Sequence, residues 1–299
     1  MNQSELVEQL QECKNLVFCS HDVGGAELLS SFIVANSLSG KYLVSGPATR
    51  IFQSKKLLSE KNQITFLQAN TSIILSSTGT TDFEYSNMSA GLKSGAKVIA
   101  LLDHWVNYAE RFERKGKKIV IDVILVVDEY AVNIAEREFP DIEIVMINND
   151  FLEGVKKEYS ALDVNDIEYD YVFMCESRHV NTNMEQNFNF NNLAGLAYFF
   201  EVLSSIGKNE ARILLRPHPS DLGKDYTEYV PKTFPLVKIS SEDGLLKVLK
   251  TSEIVVGCNS MALIIAETVG KRVYSAIKNP RSITSPFSGI RPLSEISQQ

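Results

Sequence analysis

Histidine, cysteine and tryptophan are scarce in this chain: 299 residues hold four histidines, four cysteines and a single tryptophan. No two cysteines stand as a CxxC pair, so the usual zinc spacing is missing and no metal site is expected. Cys19, Cys175 and Cys258 lie in or beside apolar runs, where a thiol is a small buried side chain in a reducing compartment. No apolar run approaches the roughly 20 residues of a membrane span, so any membrane contact is expected to be peripheral. The opening stretch MNQSELVEQLQECKN is amphipathic and lacks a signal-peptide core. Together these features predict a cytoplasmic protein, with the inner membrane face as a further expectation. Basic excess is also missing: a formal net charge of -7 argues against a nucleic-acid partner. No GxGxxG, solenoid period or low-complexity tract is present.

What the chain does have is alternation. Short β-rich runs are separated by helix-length segments from end to end. Predicted strands are 16–20, 42–45, 72–76, 97–102, 123–127 and 142–147, then 171–175, 212–215, 236–239, 254–256 and 272–275. Several are unbroken apolar runs, which suit strands covered on both faces of a parallel sheet. Helices are predicted over 26–37, 87–94, 129–138, 193–206, 244–250 and 261–269. This pattern means βαβ units and an α/β fold of two doubly wound, Rossmann-like domains facing a cleft. The acidic stretch around 149–169 interrupts the strand series and places the boundary: residues 1–160 form one domain and 161–280 the other. The tail, 281–299, is expected either to lack order or to pack back on the N-terminal domain.

All four histidines, His21, His104, His179 and His218, fall just after predicted strands, where open α/β sheets bind ligands. In the first loop, His21 and Asp22 precede Gly24 and Gly25 at a helix start. The glycines allow a phosphate to approach or simply make the turn, and the acid or imidazole can serve as a general base. Thr78, Gly79 and Thr80 offer hydroxyls for a sugar or a helix cap. Asp82 and Glu84 read as first-turn helix charge and not as metal ligands. Asp103 and His104 end an apolar strand and are followed by Trp105; they suit proton transfer, and the indole suits a sugar ring, although a buried anchoring tryptophan is the alternative.

In the second half, a strand runs into Arg216-Pro217-His218-Pro219. Arginine offers a planar fork of donors to phosphate, His218 a proton or hydrogen bond, and the prolines rigidity. Asn259 and Ser260 open the next helix, whose unpaired N–H groups attract a phosphate and whose start these residues are expected to cap. Glu267, two turns on, is a candidate ribose contact.

These two motifs resemble those of GT-B glycosyltransferases. The Arg216–Pro219 stretch is similar to the His-Pro motif of bacterial sialyltransferases, Kdo transferases and glycerophosphate-type polymerases, and Gly257 to Glu267 to their donor-holding helix start. The resemblance implies that His218 and Ser260 contact the donor phosphate. The sialyltransferases' acidic-acidic-Gly motif precedes the His-Pro motif. Here Glu242-Asp243-Gly244 follows it and reads as a helix cap, so the base falls to Asp22, His21, Asp103 or His104.

The reading implied is a metal-independent glycosyltransferase of surface-polysaccharide assembly that uses no cofactor. Its partners are a phosphate-activated sugar donor and a glycan or lipid-linked glycan acceptor, with association to other glycan-assembly enzymes compatible with this. Arg216, His218, Asn259, Ser260, Glu267, Gly24 and Gly25 would hold phosphate or nucleotide, and Trp105, Thr78 and Thr80 would touch sugar. The alternatives are a phosphoribosyl-diphosphate-dependent transferase, an enzyme like the UDP-sugar 2-epimerases, and a non-catalytic binding protein.

Overall fold

The computed structural model describes residues 1–79, 81–164, 166–176, 192–218, 221, 224–278 and 286–298. The chain divides into two compact units, Met1–Gly154 and Val155–Gln299. The fold is α/β with two parallel six-stranded sheets.

In the first unit the strands are β1 (Leu16–Ser20), β2 (Lys41–Val44), β3 (Ile73–Ser77), β4 (Lys97–Leu101), β7 (Val123–Val126) and β8 (Glu143–Met146). A two-stranded hairpin, β5 (Glu113–Arg114) and β6 (Lys117–Lys118), stands outside the sheet. Helices are α1 (Gln3–Glu12), α2 (Val23–Ala35), α3 (Ala48–Ser54), α4 (Asp82–Ser94), α5 (Glu129–Glu138) and α6 (Asp150–Ala161), the last running into the second unit. Strands β1, β3 and β7 are buried along their whole length, as unbroken apolar runs require. The strand order is β2-β1-β3-β4-β7-β8, all parallel. The chain leaves β1 toward one edge and returns through β3 toward the other. The carboxyl ends of β1 and β3 are thus the switch point, the place where open α/β sheets bind their ligands.

The second unit repeats the plan with β9 (Tyr169–Met174), β10 (Ile213–Arg216), β11 (Val237–Ile239), β12 (Ser252–Gly257), β13 (Arg272–Ser275) and β14 (Ile290–Pro292). Its described helices are α7 (Asn192–Ser205), α8 (Leu245–Thr251) and α9 (Met261–Thr268). The order β11-β10-β9-β12-β13-β14 puts its switch point between β9 and β12.

Two terminal segments complete the units. Residues 3–12 form α1 because a capping box fixes the start: Glu5 N–H donates to Asn2 Oδ1 (3.0 Å) and Asn2 N–H to Glu5 Oε2 (2.8 Å). Leu6 and Leu10 then bury one face. Over its described part, 286–298, the tail belongs to the second unit. Ile290–Pro292 pairs with β13 as the edge strand of the second sheet, and Leu293 and Ile296 join that unit's core. Among the described residues no helix is long and apolar enough to cross a membrane.

Candidate functional site

At the switch point of the first sheet, His21 follows β1 directly and Asp22 is the N-cap of α2. Their side chains pair, Nδ1 to Oδ1 at 2.7 Å, and each keeps about a quarter of its surface exposed (25% and 27%). The pairing at Nδ1 favours the tautomer with its proton there, which leaves Nε2 with the lone pair of a general base. Gly46, at φ +56°, lies against the ring's outer edge, and a Cβ there would stand 2.5 Å from Nε2. The glycine gives the ring room and takes the left-handed backbone at no steric cost.

Glu84 holds this loop in shape. It is buried in the first turn of α4, yet its Oε1 accepts from the N–H of His21 (2.8 Å) and of Asp22 (3.3 Å), and from Ser77 Oγ (3.4 Å). Oε2 accepts from Thr81 Oγ1 (3.2 Å). The residue expected to be helix-turn charge therefore satisfies two backbone donors of another loop. His21, Asp22 and Glu84 also present ligand atoms within 4.8 Å of one another, the one group among the described residues with the donors for a metal ion. An ion there would have to displace the hydrogen bonds that Glu84 already accepts.

The other first-unit candidates lie behind this surface. The Asp103 carboxylate pairs with Arg111 at 2.5 Å, and a Cβ on Gly24 would collide with its other oxygen. The anion at the start of α2 is thus the protein's own, and Gly24 serves Asp103. Gly25 makes room for the Ser77 side chain, 2.7 Å from where its Cβ would be. Thr78 is buried, donating to the Leu101 carbonyl (3.1 Å) and accepting from Arg111 (2.8 Å). Trp105 is 5% exposed and its indole N–H donates to Asp128 (2.8 Å), so it anchors the loop and offers no open face to a sugar. His104 Nδ1 accepts from the Trp105 N–H (2.9 Å), and burial pushes its pKa down, so it is neutral at pH 7. Thr80 and His179 lie outside the described residues. Arg111 and Arg114 carry no local signal in the sequence. Arg114 ties its hairpin to the β3–α4 loop by donating to the carbonyls of Gly79 (2.9 Å) and Thr81 (3.0 Å).

In the second unit, Arg216 ends β10 in register with Met174 of β9, which also pairs with Gly257 of β12. Arg216 and Gly257, the last residue of β12 before the loop into α9, thus stand at one level, one strand apart, on the carboxyl side of the sheet. Arg216 is partly buried, and desolvation lowers its pKa. Among the described residues its side chain makes one hydrogen bond, a long one to the Asp243 carbonyl (3.4 Å), and Nε is buried with no partner. No carboxylate pairs with it among the described residues. Ser260 occupies the N-cap position of α9 but makes no capping bond, contrary to expectation; its Oγ is buried and also lacks a partner. Gly244, not an acid, caps α8, and Asp243 pairs with Lys247 (2.7 Å). His218 is exposed, with its pKa lowered by desolvation. Its carbonyl accepts from the Asp221 N–H (2.8 Å), and the buried Asp221 pairs with Lys224 (2.5 Å) and Tyr226 (2.9 Å) to anchor the loop. Pro219 lies outside the described residues. Glu267 sits against Gly289, where a Cβ would meet its Oε1 at 2.5 Å.

Glu176, two residues past β9, has no local signal in the sequence. Its Oε1 accepts from the Asn259 N–H at 2.5 Å, the backbone just ahead of α9. Desolvation pushes its carboxyl up to about 7, opposed by that bond. The folded protein therefore holds a proton that an unfolded chain, with the ordinary value of 4.5, releases. Stability should fall as pH rises from about 4.5 to about 7. Glu176→Gln keeps the acceptor and removes the titration. In thermal melts it should match the parent at pH 4.5 and exceed it by about 1–3 kcal/mol at pH 8.

No protein-family profile matches this chain, and no curated protein matches it. Solved structures do. A UDP-GlcNAc 2-epimerase from Neisseria meningitidis, bound to UDP-GlcNAc, is 10% identical with a TM-score of 0.56, over 89% of this chain and 84% of that one. The UDP-GlcNAc 2-epimerase of Methanocaldococcus jannaschii is 13% identical with a TM-score of 0.53, over 87% and 83%. The glycotransferase of kitacinnamycin is 12% identical with a TM-score of 0.52, over 89% and 81%. At such identities the likeness is one of fold, the two-unit GT-B-like α/β architecture.

Proposed function

We propose that the protein is an enzyme acting on a phosphate-activated sugar, most simply a nucleotide sugar, and that it transfers the sugar to an acceptor hydroxyl. One observation carries this: Arg216, a partly buried cation with no carboxylate partner among the described residues, stands level with Gly257 at the end of β12, which leads into a helix start whose Ser260 Oγ is also unpartnered. Leaving a buried donor or charge unmet costs stability, and a site kept that way is kept for a ligand. Two oxygens of a diphosphate meet the guanidinium fork, Ser260 and the α9 N–H groups meet the rest, and His218 adds a hydrogen bond. That positive charge stabilises the leaving phosphate without a metal, so turnover should persist in excess EDTA.

The first unit supplies the base. His21 Nε2 takes the acceptor's proton, and Asp22 steadies the imidazolium that results. His21→Ala should lower turnover about 10²- to 10⁴-fold with little change in donor affinity. The assay is release of nucleoside diphosphate from a panel of sugar nucleotides in the presence of glycan acceptors. A His21→Ala rate near the parent's would remove the base assignment. Glu176, a carboxyl able to exchange a proton near pH 7 beside the phosphate site, favours a second reading: isomerisation of the sugar on its own nucleotide. The same panel separates the two, since isomerisation interconverts sugar nucleotides with no acceptor present.

A further inference from the structure

The hairpin β5–β6 has no structural place in either main sheet, yet it is built firmly. Lys115 (φ +51°) and Gly116 (φ +72°) make its two-residue turn, both in the left-handed region that tight hairpins require. The Tyr85 hydroxyl donates to the Lys117 carbonyl (2.7 Å), and Arg114 stacks 5.5 Å from the Tyr85 ring. The segment from Glu110 to Lys118 holds five basic residues and two acids in a chain of net charge -7.

The basic residues divide by kind. The arginines face inward: Arg111 bonds Thr78 and Asp103, and Arg114 bonds the carbonyls of Gly79 and Thr81 and pairs with Asp82. The lysines, Lys115, Lys117 and Lys118, are exposed, and no carboxylate lies within ion-pair distance of any of them among the described residues. Lys118 only lies near the Phe139 ring (5.9 Å). Val120, two residues on, is 67% exposed.

We infer that this hairpin is a docking element for an anionic lipid bilayer, with the three lysines held at the headgroups and Val120 entering the interface. Bidentate recognition of a defined anion uses the forked geometry of arginine, and here both arginines are committed to the protein itself. Lysines are point charges on flexible stems, which suit a field of mobile headgroups. An exposed aliphatic side chain beside them has no use in binding a hydrophilic polyanion, but gains by leaving water at an interface. The inference stands apart from the proposed chemistry.

Each lysine near an anionic surface strengthens partitioning about five-fold, roughly 100-fold for three together. The test is co-sedimentation of the full chain with phosphatidylcholine vesicles, with and without 30% phosphatidylglycerol. Binding should appear only with the anionic lipid, vanish in ~1 M salt as screening shortens to ~3 Å, and vanish in Lys115→Glu/Lys117→Glu/Lys118→Glu at an unchanged melting temperature. A variant of equal charge change elsewhere, Lys56→Glu/Lys61→Glu/Lys93→Glu, should keep most of it. Failure of the parent to bind anionic vesicles, equal binding to neutral ones, or equal loss in both variants overturns the inference. So does a hairpin effect seen with soluble polyphosphate and not with vesicles.

Discussion

Replacing Arg216 by methionine should abolish phosphate binding and leave the fold as stable as before, or more so. The two halves of this expectation have one cause. A partly buried guanidinium with an unpartnered Nε and, among the described residues, no carboxylate carries a desolvation cost in the ligand-free protein, and methionine fills a similar volume without it. In the complex the guanidinium has its partner, and truncating one side of a buried charged pair costs about 2–5 kcal/mol, at least about 30-fold in affinity. Binding of UDP by calorimetry and thermal melts on the same samples check both halves. A structural arginine would behave in the opposite way, with stability lost and affinity kept.

The second large effect is expected at Glu84. Glu84→Ala leaves the N–H groups of His21 and Asp22, and the hydroxyls of Ser77 and Thr81, without their acceptor. Unsatisfied buried donors cost about 1–3 kcal/mol each, so a loss of about 3 kcal/mol or more is expected. The readout is specific to the first unit, because Trp105 is the only tryptophan and lies buried there. Its fluorescence during urea unfolding should shift to a lower midpoint. Glu84→Gln, which keeps one carbonyl acceptor, should lose less. If the Glu84→Ala midpoint is unchanged, Glu84 does not hold the His21 loop.

Much of this molecule is legible in its sequence because strands covered on both faces are unbroken apolar runs. Segments such as VILVV and EIVVG announce β7 and β12 without help from the rest of the chain. The positions of His21 and Arg216 follow, since each ends or follows such a strand. What stays hidden depends on contacts remote in sequence. Glu84 looks like first-turn charge, and its use lies 62 and 63 residues back, at the N–H groups of Asp22 and His21. Asp103 looks like a base until Arg111 and the start of α2 are brought to it. Trp105 looks like a sugar platform until Asp128 takes its indole N–H. Glu176 has no local pattern at all; its importance comes from Asn259, 83 residues on, across the switch point. Strand β14 is three residues long and carries a proline, so no periodicity could reveal it.

The phosphate site of the second unit is the assignment on which the rest depends. It is best tested by adding UDP, and separately inorganic diphosphate, to isotope-labelled protein and following the backbone amides by NMR. Binding at the start of α9 should move the amides of residues 258–262 in the parent, with both ligands, and leave them in place in Arg216→Met. Saturable binding that moves other amides and leaves 258–262 unchanged, or the same shifts in Arg216→Met as in the parent, would contradict it.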